Sequence, residues 1–260
     1  MLSLDLEPDN YLYRIKRGKR IVYINILGGD IFPSDWRRAE RAAVLKRMRL
    51  LPKWKEEWKT LTVRRNSQGD VESTPDEFPP HGLDLGQLAL PCDQFFNLQD
   101  LAPLSKVSSN IFRVRCDGVI RILKLSHFGH IIPYLQQEIS VYSALKSSGF
   151  PLAPEFIGFV YEETKTRTIG FVMEEIVGDH PGIQNLEHCT RTARLLHKFG
   201  FVHGDLNRYN FIMTEHGAKL LDFESAAPVG EMKPEAAEEE LKELVSNLED
   251  ESGIGKPVSI

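Results

Sequence analysis

Two carboxylates and a carboxamide at fixed spacing constrain this chain more than any other feature. In the stretch Phe201 to Ser225, FVHGDLNRYNFIMTEHGAKLLDFES, Asp205 is followed five residues on by Asn210, and Asp222 lies twelve residues after that. Two short apolar pieces, Phe211 to Met213 and Lys219 to Leu221, flank the turn-like Glu215-His216-Gly217 and predict a β-hairpin with polar groups at its base. Oxygen ligands at a hairpin mouth can hold Mg²⁺, which takes a few protein oxygens and completes its shell with phosphate and water. The same residues also suit an ordinary surface hairpin, because Asp and Asn are common in turns. The upstream sequence has to separate the two readings.

Upstream, Ile120 to Leu125 reads IRILKL and sets Lys124 inside a strand of large apolar residues. An unpaired ammonium there is costly, so Lys124 needs a partner. Glu138 follows fourteen residues later in PYLQQEISVYSALKSSG, where Leu135, Ile139, Tyr142 and Leu145 recur at helical spacing between Pro133 and the stop at Gly149 and Pro151. Around them the pattern is of short strands. Ile111 to Arg115 and Val119 to Leu125 flank Cys116-Asp117-Gly118, a hairpin signal, with a preceding strand near Ala102 to Val107 and Ser108-Ser109-Asn110 at its tip. Glu155 to Tyr161 and Thr168 to Met173 complete an expected antiparallel sheet of about five strands, joined by a loop from Glu162 to Arg167.

The first hundred residues have a different character. Residues 11–65 carry 16 Lys and Arg against 5 Asp and Glu, whereas residues 66–260 carry 16 against 29. A hairpin is predicted from Tyr11 to Ile15 and Ile21 to Leu27, then a basic helix from Asp35, capped by Ser34, to about Leu51. Basic residues 14–65 can meet RNA or an acidic protein, or dock on the acidic remainder of the chain. Residues 64–82, RRNSQGDVESTPDEFPPHG, read as a Pro-rich linker or long loop, and Leu83 to Leu90 and Asp93 to Leu101 contain a possible short helix. The three cysteines form no C-x-x-C pair, so neither a zinc site nor a disulfide framework is suggested. No apolar run approaches the roughly 18 residues of a membrane helix. An intracellular protein, in cytoplasm or nucleus, is expected.

His203, Asp205, Asn210, Asp222 and Phe223 resemble the catalytic segment of the protein-kinase-like superfamily, H-x-D-x-x-x-x-N followed by D-F-x. Lys124 and Glu138 precede it in the order that superfamily requires. The resemblance implies an α+β, two-lobed kinase-like fold. The N-lobe, residues 101–176, would be an antiparallel sheet with one helix; the C-lobe, residues 177–260, would be abbreviated and helical; residues 1–100 would be an accessory hairpin and helix. It implies ATP and Mg²⁺ as cofactors: Asp205 catalytic, Asn210 and Asp222 holding metal, Lys124 fixed by Glu138 against phosphates, and the backbone of Glu174 and Ile176 on adenine, with Met173 behind it. His203 reads as a structural residue under the loop.

Two branches fit these motifs. HGD and the short C-lobe resemble the small atypical kinases related to the tRNA-modification kinase. Glu224 in D-F-E resembles choline kinases and aminoglycoside phosphotransferases. After Asp222 only an amphipathic helix is expected, from Pro234 to Leu248, with Leu241, Leu244, Val245 and Leu248 on one face and Glu235 and Glu238 to Glu240 early in the helix. The function expected is transfer of the ATP γ-phosphoryl group to a hydroxyl of a small molecule or protein. The missing glycines at Ser108 to Asn110 and the missing peptide-binding helices keep open a pseudokinase or nucleotide-binding scaffold.

Overall fold

The computed structural model describes residues 3–7, 9–32, 40–88, 92–250 and 252–253. The chain divides into two compact units, Met1–Gly82 with Glu162–Arg167, and Leu83–Tyr161 with Thr168–Ile260.

The first unit is a sheet of five strands in the order β1 (Ser3–Glu7), β2 (Asn10–Arg17), β3 (Arg20–Leu27), β4 (Thr60–Arg65) and β5 (Val71–Pro75). The predicted hairpin is β2–β3, longer than its apolar alternation indicated and turned at Gly18 with φ +64°. A helix, α1 (Arg41–Met48), lies in the connection between the parallel neighbours β3 and β4 and buries Val44 and Met48. The earlier start expected for this helix, with Ser34 as its cap, lies outside the described residues.

The stretch 64–82 is not all linker or loop: Arg64 and Arg65 end β4 and pair with Glu72 and Val71 of β5. Its polar composition hid the second strand, in which Ser73 is buried between the exposed Glu72 and Thr74. Asn66 closes the turn by accepting from the Gln68 and Asp70 amides at 2.9 and 3.0 Å.

Several of the basic residues 14–65 already have partners. Arg14 is buried against Glu162, which also takes Arg167 at 2.6 Å, and the Arg167 guanidinium lies 4.9 Å over the Tyr23 ring. Arg64 pairs with Glu77 and Arg65 with Asp30. Arg17 lies 4.9 Å over Trp58 and 5.6 Å over Trp54.

The second unit is built on a six-stranded sheet. Its strands are β6 (Phe95–Asn97), β7 (Ala102–Lys106), β8 (Ile111–Cys116), β9 (Val119–Leu125), β10 (Phe156–Glu162) and β11 (Thr164–Glu174), in the order β6-β10-β11-β9-β8-β7. The sheet is therefore not wholly antiparallel. Short 3-10 turns at Leu85–Gln87 and Leu98–Asp100 fall in the stretches where a short helix was expected, and between them β6 runs parallel to β10 with Phe95 stacked on Phe159 at 5.2 Å. The loop expected from Glu162 to Arg167 is instead almost all strand, turned at Glu163 with φ +64°.

Helix α2 (Ile132–Ser148) packs Leu135, Ile139 and Tyr142 into a core shared with Phe159 and Phe171 of the sheet. That core continues through α3 (Leu186–Lys198), β13 (Phe211–Thr214), β14 (Gly217–Leu220) and α4 (Ala236–Glu249). β13 and β14 form the hairpin predicted between Asn210 and Asp222, and β12 (Phe201–Val202) pairs with β15 (Ala227–Pro228) beside it. On α4, Leu244 and Leu248 are buried as expected, but Val245 is 41% exposed and Glu240 is buried in its place. Among the described residues no helix is long and apolar enough to cross a membrane.

Candidate active site

Lys124 is carried on β9 and Glu138 on α2, and their side chains meet with Nζ to Oε2 at 2.8 Å. Both are buried, at 4% and 0% exposure. The same ammonium reaches Asp222 at 2.7 Å and Glu224 at 3.1 Å. Burial alone would lower the Lys124 pKa, but the carboxylates of Glu138, Asp222 and Glu224 outweigh it and hold the ammonium above its ordinary value. Glu138 has a second role, accepting from the Phe223 amide at 3.3 Å, so one helix residue ties the strand lysine to the D-F-E turn.

The loop after β12 is arranged around Asp205, which is exposed. The Asn207 side chain donates to Asp205 Oδ1 at 3.0 Å and accepts from the Tyr209 amide at 2.8 Å. Asn210, buried, donates to the Asp205 carbonyl at 2.8 Å and to its Oδ2 at 3.0 Å. With the amide nitrogen of Asn210 engaged by Asp205, its side-chain oxygen is the atom left for a cation. The Leu221 amide donates to the Asn210 carbonyl at 2.8 Å, which fastens the loop to the residue before Asp222.

Beneath the loop, His203 is fully buried and donates from Nε2 to the Leu221 carbonyl at 2.9 Å. Burial pushes its pKa below the usual histidine value, so the ring is neutral. Gly204 has φ +78°, and a Cβ there would lie 2.5 Å from the Ser225 carbonyl oxygen, so no side chain fits between the two turns. Asp222 is itself left-handed, at φ 60° and ψ 73°, a conformation that Asp tolerates better than most residues.

A cleft of about 670 Å³ is lined by Ser108, Lys124, Ile176, Asn210 and Asp222, among others, whereas Asp205, His203 and Gly204 are not among its lining residues. That is the size range of small-ligand sites. Glu174 and Met173 also line it. The Glu174 amide donates to the Glu155 carbonyl at 2.9 Å, so a ligand's route to the Glu174 backbone is its carbonyl. The Glu174 and Glu175 side chains are paired with Lys219 and Arg113. Carboxylate oxygens of Glu138, Asp222 and Glu224 lie within 4.8 Å of one another. An all-oxygen donor set suits Mg²⁺, and here the Lys124 ammonium sits among those oxygens.

Glu240 is the residue that sequence reasoning missed. It was read only as one of the acidic residues early in α4, where the helix dipole favours anions, yet it accepts from the His203 amide at 3.3 Å and from the Gly204 amide at 3.0 Å, and it pairs with His197. The signal was available: Glu240, Leu244 and Leu248 recur every four residues, so an acidic residue lies in the apolar stripe.

A strand lysine bound to a helix glutamate, above a loop with Asp and Asn and a turn with a second Asp, is an arrangement of the kinase-like class. Residues 174–250 match the RIO1 family model, described as a RIO domain, which belongs to the atypical protein-kinase-like superfamily. The match includes Asp205, Asn210, Asp222 and Glu240; Lys124 and Glu138 lie upstream of it. At family level a RIO domain implies an atypical kinase-like, ATP-binding phosphotransferase. No curated protein sequence matches the chain.

Proposed function

We propose that this chain is an ATP-dependent phosphotransferase acting on a hydroxyl, with a two-lobed kinase-like arrangement inside its second unit. Residues 101–176 would form the N-lobe and residues 177–260 an abbreviated helical C-lobe, with residues 1–100 as an accessory region. The observation that carries the reading is the buried contact of Lys124 with Glu138 at 2.8 Å, beside Asp222 and over a cleft bordered by Asn210. A surface hairpin with turn residues has no need of such a pair.

Phosphoryl transfer asks mainly for positioning and electrostatics. Lys124, steered by Glu138, would bind the α- and β-phosphates. The backbone of Glu174 and Ile176 would hold adenine. Asp205, its two oxygens oriented by Asn207 and Asn210, would align the acceptor hydroxyl and take its proton. The Asn210 side-chain oxygen and the Asp222 carboxylate would hold Mg²⁺, which when bound neutralises phosphate charge. The abbreviated C-lobe resembles the small atypical kinases related to the tRNA-modification kinase, and Glu224 resembles choline kinases and aminoglycoside phosphotransferases.

One observation favours a second reading, a nucleotide-binding scaffold without turnover: the β7–β8 tip that lines the cleft is Ser108-Ser109-Asn110, without the glycines that let backbone approach phosphate closely. Thermal unfolding with and without Mg²⁺-ATP, followed by γ-phosphate transfer to mixed acceptors, separates the two. Stabilisation with turnover, lost in Asp222→Ala, supports the enzyme. Stabilisation without turnover supports the scaffold, and no stabilisation removes both.

A further inference from the structure

A groove of about 680 Å³ runs along α3, and none of its lining residues lines the cleft. Its apolar lining is Leu152, Leu186 and Leu195, each half-buried. Arg191, Arg194 and Lys198 stand beside them, all exposed. One acidic residue, Glu187, also lines it.

The helix has two stripes. Cys189, Thr192, Ala193 and Leu196 are buried, and the Thr192 hydroxyl donates to the Ala218 carbonyl at 2.9 Å. Residues 191, 194, 195 and 198 recur at three- and four-residue spacing and form the opposite stripe. Leu152 is fixed as well, since its carbonyl accepts from the Leu220 amide at 2.8 Å. Both walls are held by the core, so the groove is formed before a ligand arrives.

Its charge runs against its surroundings. Residues 66–260 carry 16 Lys and Arg against 29 Asp and Glu. Arg191 donates to the His188 ring nitrogen at 3.4 Å, and among the described residues none of the three cations pairs with a carboxylate. Lys198, in the last turn, is favoured by the helix dipole, but Arg191 sits mid-helix and gains nothing from it. Arg194 also faces a like charge on either side, at residues 191 and 198, and those pairs oppose the helix. A partner bearing carboxylates removes that opposition.

The lining also selects the kind of partner. Three leucines need apolar side chains over them, which a phosphate backbone does not supply, and no aromatic ring lines the groove for a base to stack on. From Leu186 to Lys198 the helix rises about 18 Å, the length of about three turns of a second helix. A second copy of this chain has no free leucine stripe to insert from its own acidic helix, because Leu244 and Leu248 of α4 are buried in the core.

We propose that the α3 groove is the docking site for an acidic amphipathic helix of a partner protein. Its apolar residues cover Leu152, Leu186 and Leu195 while its carboxylates meet Arg191, Arg194 and Lys198. The site does not depend on the phosphotransfer reading.

The test selects displayed peptides of about 16 residues on the full chain and remakes the bound sequences with a fluorescent label. The wild type is compared with Arg191→Gln/Arg194→Gln, whose positions are exposed and outside the cleft, and with Arg194→Gln alone, the smaller change to the helix. Expected are peptides rich in Asp and Glu, with Leu, Ile or Phe recurring three or four residues apart. Their affinity should fall about tenfold or more in the double variant, and by a similar factor when the peptide's apolar residues are changed to Ser. Thermal unfolding of both variants should stay within about 3 °C of wild type. Selection of no peptide overturns the proposal, as do peptides that keep their affinity for the folded double variant or keep it without their apolar residues. Equal affinity for an oligouridine of about 20 nucleotides would make the stripe a plain polyanion surface and overturns it too. Self-association of the full chain in sedimentation, lost in the double variant, would put a second copy in the groove instead of a partner.

Discussion

Replacing Lys124 by Met should destabilise the second unit more than most single substitutions elsewhere. Lys124 and Glu138 are 4% and 0% exposed, and the change removes the ammonium while leaving the Glu138 carboxylate in an apolar core. It also leaves three carboxylate oxygens within 4.8 Å of one another without a countercharge. Removing one partner of a buried pair costs about 3–5 kcal/mol, which for a unit of this size is a fall in Tm of roughly 6–20 °C. Protonation of Glu138 limits that cost. Burial already raises its pKa even beside the ammonium, and the rise is larger without it. A carboxyl whose folded pKa lies above its unfolded value binds more protons in the folded state, so the variant should lose stability as pH rises above the ordinary carboxyl value of 4.5 and through about 7. Adding Glu138→Gln should recover most of the loss and remove the part of the pH dependence that Glu138 causes. Urea unfolding of wild type, both single variants and the double variant gives the cycle. A Lys124→Met protein within about 1 kcal/mol of wild type, or a double variant less stable than Lys124→Met, would refute the reasoning.

Other substitutions probe separate parts of the structure. Gly204→Ala meets the Ser225 carbonyl and a left-handed φ together, and should lose turnover and at least about 2 kcal/mol of stability; wild-type values in both kcat and urea midpoint would contradict the packing described. His203 is held neutral by burial, so its contribution to stability is present above its unfolded pKa of about 6.5 and is lost as pH falls below it. The stability difference between wild type and His203→Gln should therefore narrow between about pH 7.5 and about pH 5.5, and a difference that widens is the opposing result. In the first unit, Glu162→Gln removes the carboxylate shared by two buried arginines, Arg14 and Arg167, and should cost about 3–5 kcal/mol; thermal unfolding within a degree or two of wild type would show that the two guanidiniums have another partner.

The sequence was informative where one side chain answers to its local pattern. Lys124 in IRILKL needed a partner, and the resemblance to the kinase-like superfamily pointed to Glu138 on the helix that follows. The β2–β3, β8–β9 and β13–β14 hairpins were legible because apolar pieces flank turn residues. What was missed depends on neighbours distant in the chain. β5 carries Glu72, Ser73 and Thr74, and only pairing with β4 makes a strand of it. Phe95–Asn97 is fixed by its parallel partner in β10, which local propensity does not contain. Glu240 was read only as a partner of the helix dipole, because the donors that hold it come from residues 197, 203 and 204, distant in the chain.

The most direct measurement of the central claim is Mg²⁺-dependent release or transfer of the ATP γ-phosphate by the wild type, beside Asp205→Asn and Asp222→Ala. The phosphotransferase account predicts turnover that needs Mg²⁺ in the wild type, a loss of about a hundredfold or more in Asp205→Asn with ATP still bound, and no metal-dependent turnover in Asp222→Ala although the protein is folded. Turnover of wild-type magnitude in either variant would contradict it.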